Sequence, residues 1–73
     1  MLFFNDLPDS VQDALINLSF NMGIARLLQF KRMLLALKNK HWIKAADELL
    51  DSRYATQVGQ RALDVAEMIR YPT

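Results

Sequence analysis

The segment PDSVQDALINLSFNMG, residues 8–23, decides the architecture of this chain. Val11, Ala14, Leu15, Leu18 and Met22 recur at intervals of three and four, the spacing that lines one face of an α-helix. Ile16 and Phe20 fall on an adjoining face, so the helix is apolar over more than one stripe and is predicted to be central and largely buried. Its start is signalled by Pro8-Asp9-Ser10. Ser10 and Asp13 have the spacing of a variant capping box, and Asp9 puts an anion where the free N–H groups of a helix start favour one. Gly23 stands where a left-handed cap would end the helix, because a residue without Cβ enters positive φ without steric penalty. Asp13, Asn17 and Asn21, at i, i+4 and i+8, draw one polar line along it, expected as a solvated face.

Working outward, Leu27, Leu28, Phe30, Met33, Leu34, Leu35 and Leu37 are too dense for one stripe and predict a short helix to about Gln29, then another from about Lys31 to Asn39. After the Lys38-Asn39-Lys40 turn, Trp42, Ala45, Ala46, Leu49 and Leu50 mark an amphipathic helix ending near Asp51-Ser52. A helical turn around Arg53 to Thr56 leads to Gly59. The last helix runs from about Gln60 to Arg70, with Ala62, Val65, Ala66 and Ile69 facing inward and Pro72 near its end. Nothing alternates with the period of a strand, and no repeat or linker is visible. The expectation is a single all-α domain over residues 1–73, a compact bundle of five or six short helices around a central buried helix.

The bulk properties narrow the function. With 73 residues, two glycines, two prolines, no cysteine and 52% hydrophobic residues, stability must come from side-chain packing, without disulfides or thiolate metal sites. Nine Lys and Arg against eight Asp and Glu leave a net charge of +1, too little for the basic stripe of a nucleic-acid binder. The longest wholly apolar stretch, Met33 to Leu37, is far below the roughly 20 residues of a membrane span, and Met1 to Phe4 is too short for a signal core. The chain therefore reads as soluble, with no export signal of its own; its compartment stays open.

Chemistry-bearing constellations are few. His41 is the lone histidine, which removes most zinc arrangements, and Ser10, Ser19 and Ser52 lack the glycines of a nucleophile elbow. Asp47/Glu48 and Asp64/Glu67 have the spacing of solvated surface charge. Glycosidic chemistry would need one acid kept protonated by burial and a second carboxylate or a positioned water across the bond. No catalytic residue, metal site or cofactor is assigned.

Ala14-Leu15-Ile16-Asn17, followed by Phe20-Asn21-Met22-Gly23, resembles the central helix of the T-even phage-type lysozymes, glycoside hydrolase family 24. The resemblance extends through Trp42 with Ala45-Ala46, Ser52-Arg53, and Gln57 to Arg61-Ala62, covering roughly Leu7 to Arg70. It implies the C-terminal lobe of a two-lobed enzyme that hydrolyses the β-1,4 bond between N-acetylmuramic acid and N-acetylglucosamine in peptidoglycan. In that family the catalytic glutamate, aspartate and threonine lie in the N-terminal lobe. Only six residues precede Leu7, so the expectation is a chain without that lobe and inactive alone.

By the same resemblance, Phe20 and Asn21 would line the far wall of the substrate cleft, where the family has an aromatic commonly followed by glutamine. Asn21 keeps both amide functions and reaches less far. Arg61 matches the arginine that faces the catalytic glutamate and would orient that acid from the missing lobe. Tyr54 stands where tryptophan is frequent, Glu48 and Met33 replace polar residues of the sugar-binding surface, and Trp42 is expected in the core. Implied partners are peptidoglycan, through a two-lobed parent, and an N-terminal lobe or a second copy. The alternative function is a stand-alone helical protein-interaction module using Leu2, Phe3 and Phe4, unless those residues fold back onto the core.

Overall fold

The computed structural model describes residues 3–73. After a short 3-10 turn, Phe4–Asp6, come six helices: α1 (Asp9–Met22), α2 (Ile24–Leu27), α3 (Lys31–Lys38), α4 (Trp42–Leu50), α5 (Arg53–Val58) and α6 (Gln60–Arg70). This is the expected all-helical bundle, with no strand among the described residues. Its radius of gyration is 10.7 Å, near the roughly 11 Å typical of a folded chain this long.

The stripe read from the sequence is the stripe that is buried. On α1, Val11, Ala14, Leu15 and Leu18 are excluded from solvent. On α6 the same holds for Ala62, Val65, Ala66 and Ile69, and on α4 for Ala45, Ala46 and Leu49. Helices α4 and α6 pack on each other most extensively, and both present alanines, whose small side chains let helix backbones approach closely. Helix α1 closes the other side of α6, and α3 closes α4. Trp42 is half-buried and packs against this core, as do Phe3 and Phe4. The N-terminal aromatics thus fold back onto the bundle; Leu2 lies outside the described residues.

Two local expectations are corrected. Ser10 does not cap α1: the helix begins two residues earlier than a Ser10 cap would start it, at Asp9, with Pro8 at the N-cap position and its carbonyl accepting from the N–H groups of Val11 and Gln12 at 3.0 Å each. Ser10 ties the two ends of the bundle together, its hydroxyl donating to the Met68 carbonyl at 2.9 Å and accepting from the Thr73 N–H at 2.9 Å. The serine that does cap is Ser52, whose hydroxyl accepts from the Ala55 N–H at 3.2 Å and extends α5 beyond the expected turn to Val58. Secondly, α1 buries one apolar stripe only. Ile16 and Phe20 on its second face are 44% and 86% exposed, so the interior of this bundle does not account for them.

Gly23 has φ 85° and ψ 150°, outside the left-handed helical region, and turns the chain abruptly from α1 into α2. At the end of α3 the left-handed position is taken by Lys40, φ 61°. The His41 N–H reaches the Ala36 carbonyl at 2.8 Å and the Lys40 N–H reaches that of Leu37 at 3.0 Å, the paired bonds of a Schellman cap built without glycine.

Candidate functional site

Phe20 and Asn21 sit on the last turn of α1, opposite its buried stripe, and Arg61 on the first turn of α6. The packing of α1 against α6 brings these distant residues together. Arg61 Nη1 donates to Asn21 Oδ1 at 2.9 Å. Asn21 Nδ2 in turn donates to the carbonyl and to Oδ1 of Asn17, one helical turn earlier, at 2.8 Å each. The polar line expected as merely solvated is therefore exposed but engaged. Because Asn17 takes the amide nitrogen of Asn21, the oxygen is left facing Arg61, and the guanidinium is held by a neutral acceptor that leaves its charge uncompensated. Asp13, at the head of the line, is exposed.

Beside this network Phe20 presents nearly its whole ring, and Ile16 and Ile24 extend the apolar surface onto α2. A large exposed aromatic next to a fixed polar cluster is a surface on which a sugar face or an apolar partner can rest while hydrogen-bonding groups set its orientation.

A second concave feature was not read from the sequence. A groove of about 540 Å3 opens between the α2–α3 connection and the start of α5; its lining includes Arg26, Phe30, Arg32, Glu48, Arg53 and Tyr54. Arg32 and Glu48 approach to 3.9 Å across it. Tyr54 is buried, and its hydroxyl has no hydrogen-bond partner among the described residues. These residues are dispersed between positions 26 and 54; the resemblance pointed to three of the lining positions, Met33, Glu48 and Tyr54, without showing that they share one groove. No charged side chain among the described residues is buried, so the carboxylates here lack the apolar enclosure that keeps a general acid protonated near neutrality.

The chain is similar in sequence to two curated proteins over most of its length. It is 36% identical over 59 residues to a curated Dictyostelium discoideum protein named "Probable T4-type lysozyme 2", an alignment covering 81% of this chain and 35% of that one. A second protein of that organism, "Probable T4-type lysozyme 1", is 31% identical over 70 residues, covering 96% of this chain and 41% of its own length. The chain is lysozyme-like. It spans well under half the length of either curated relative. No protein-family model and no solved structure matches it.

Proposed function

We propose that this chain is the C-terminal lobe of a peptidoglycan-hydrolysing lysozyme, forming one wall of the substrate cleft and inactive without an acid-bearing lobe. The observation that supports this best is the hydrogen bond from Arg61 to Asn21. It gathers the residues assigned by resemblance into one exposed cluster beside Phe20. In this reading Phe20 lies against the glycan, Asn21 and Asn17 hold Arg61 in place, and Arg61 faces the catalytic carboxylate of the other lobe. There its paired N–H donors would fix the direction of that acid.

The apolar surface of Ile16, Phe20 and Ile24 fits the same role, being the area a second lobe or a bound glycan would shield from water. Inactivity of the chain alone is supported by its carboxylates, none of which is buried among the described residues, Glu48 being half-buried beside Arg32 and the others exposed. Fusion to the remaining part of one of the curated relatives tests the assignment. Phe20→Ala and Arg61→Ala should each slow clearing of a cell-wall suspension without loss of helicity; undiminished clearing by both variants would refute it.

A further inference from the structure

Three large aliphatic side chains stand apart from the Ile16, Phe20 and Ile24 surface and are exposed: Leu35 on α3, Ile43 on α4 and Leu63 on α6, at 60%, 63% and 49%. On α3, Lys31, Leu35 and Lys38 fall at i, i+4 and i+7, so along one exposed stripe the leucine has a lysine one turn away on either side. On α6, Glu67 is four residues after Leu63 and three after Asp64, which sets that leucine beside two exposed acids. Leu63 also lines a hollow of about 210 Å3 between α4 and α6, together with Leu50, Ala66 and the two acids. Both stripes carry uncompensated charge. Among the described residues Lys31, Lys38, Asp64 and Glu67 enter no ion pair. Asp64 accepts from the neutral Gln60 Nε2 at 3.0 Å, and Arg70 beside the acids is engaged by Asp47 at 2.7 Å. Helix α4 packs against both α3 and α6 and separates them, so the lysines of one stripe do not meet the acids of the other within a chain.

We propose that the two stripes are the two halves of one interface and that the partner is a second copy of this chain, α3 of one copy lying on the α4–α6 hollow of the next. Leu35 meets Leu63 and Leu50 at the centre, where water is expelled, and the flanking lysines face Asp64 and Glu67. Ile43, seven residues before Leu50 on the same side of α4, extends the apolar surface beyond the Asp47–Arg70 pair. The contact joins unlike surfaces. A pair of copies therefore still offers a free α3 stripe at one end and a free hollow at the other, and association continues past the dimer. Pairing of the hollow with itself is disfavoured, because it would set Asp64 and Glu67 of one copy against the same acids of its partner. One helix on a two-helix surface is a small contact, so the association is weak and sensitive to salt. It uses none of the cleft residues assigned above and is independent of the lysozyme assignment.

Sedimentation of the chain at low ionic strength over rising concentration tests this. The weight-average mass should climb above that of the monomer, pass the dimer without a plateau, and fall back in high salt. Amide shifts of the 15N-labelled chain on dilution should concentrate on α3 and on the α4–α6 hollow. Lys31→Gln/Lys38→Gln and Asp64→Asn/Glu67→Gln, all at exposed positions, should each weaken association about tenfold or more with helicity unchanged. Asp13→Asn, which removes an acid from α1, should leave it as it was. Mixed in equal amounts, the two double variants should recover the original affinity in a 1:1 pair that does not grow, because each keeps the stripe that the other lost. A monomer at every concentration, a plateau at the dimer in the unsubstituted chain, dilution shifts centred elsewhere, an equal loss in Asp13→Asn, or a mixture that associates no more strongly than its components overturns the proposal.

Discussion

Arg61 Nη1 lies 2.9 Å from Asn21 Oδ1, a contact between residues 40 apart in sequence that joins the start of α6 to the end of α1. Replacing Asn21 by alanine should release the guanidinium. Hydrogen exchange at the Arg61 Nη–H groups, followed by NMR, is expected to accelerate, while unfolding free energy changes by less than about 0.5 kcal/mol because the bond is exposed. Unchanged exchange would mean that Asn21 does not hold Arg61.

Ser10 joins the two ends of the bundle through its hydroxyl. Ser10→Ala removes both bonds and should cost about 1–2 kcal/mol in urea unfolding. A helix cap alone would predict a local effect confined to α1. Here the last residues beyond α6 should also lose amide protection, which hydrogen exchange can resolve.

The contrast between Ser10 and Ser52 shows where sequence reading succeeds. Both serines precede an apolar-periodic run, and local spacing favoured Ser10, with Asp13 three residues on. What diverts Ser10 is the arrival of Met68 and Thr73 from the far end of the chain, a tertiary event invisible in a local window. Helix existence and the buried stripes were legible because they depend on a repeating pattern that burial enforces. The outward direction of Ile16 and Phe20 was not, since an apolar residue carries the same signal whether it faces a core or an interface. For the candidate site, the resemblance pointed to Phe20, Asn21 and Arg61, but the part of Asn17 and the cationic groove required the folded chain.

Tyr54 buries a hydroxyl with no partner among the described residues. Tyr54→Phe should therefore hold stability or raise it by about 1 kcal/mol, because the desolvation cost of an unpaired hydroxyl disappears while the ring keeps its packing. Thermal unfolding measures this. A clear fall in Tm would indicate that the hydroxyl is satisfied in solution.

Lys40 occupies the left-handed position of the α3 cap, φ 61°, which a Cβ disfavours. Lys40→Gly removes that strain at some entropic cost in the unfolded chain, and a net gain of about 0.5–1 kcal/mol is expected from denaturant unfolding. The gain should persist in high salt, which separates backbone relief from any effect of the lost charge.

Clearing of a peptidoglycan suspension, compared for this chain alone, for the remaining part of a curated relative alone, and for the two joined, tests the central claim most directly. The account expects no clearing by either part and clearing by the joined protein. It further expects Arg61→Ala in the joined protein to lower the rate about tenfold or more, as when a group that stabilises and orients a catalytic acid is removed. Clearing by this chain alone, or a correctly folded joined protein that leaves the suspension turbid, would contradict it.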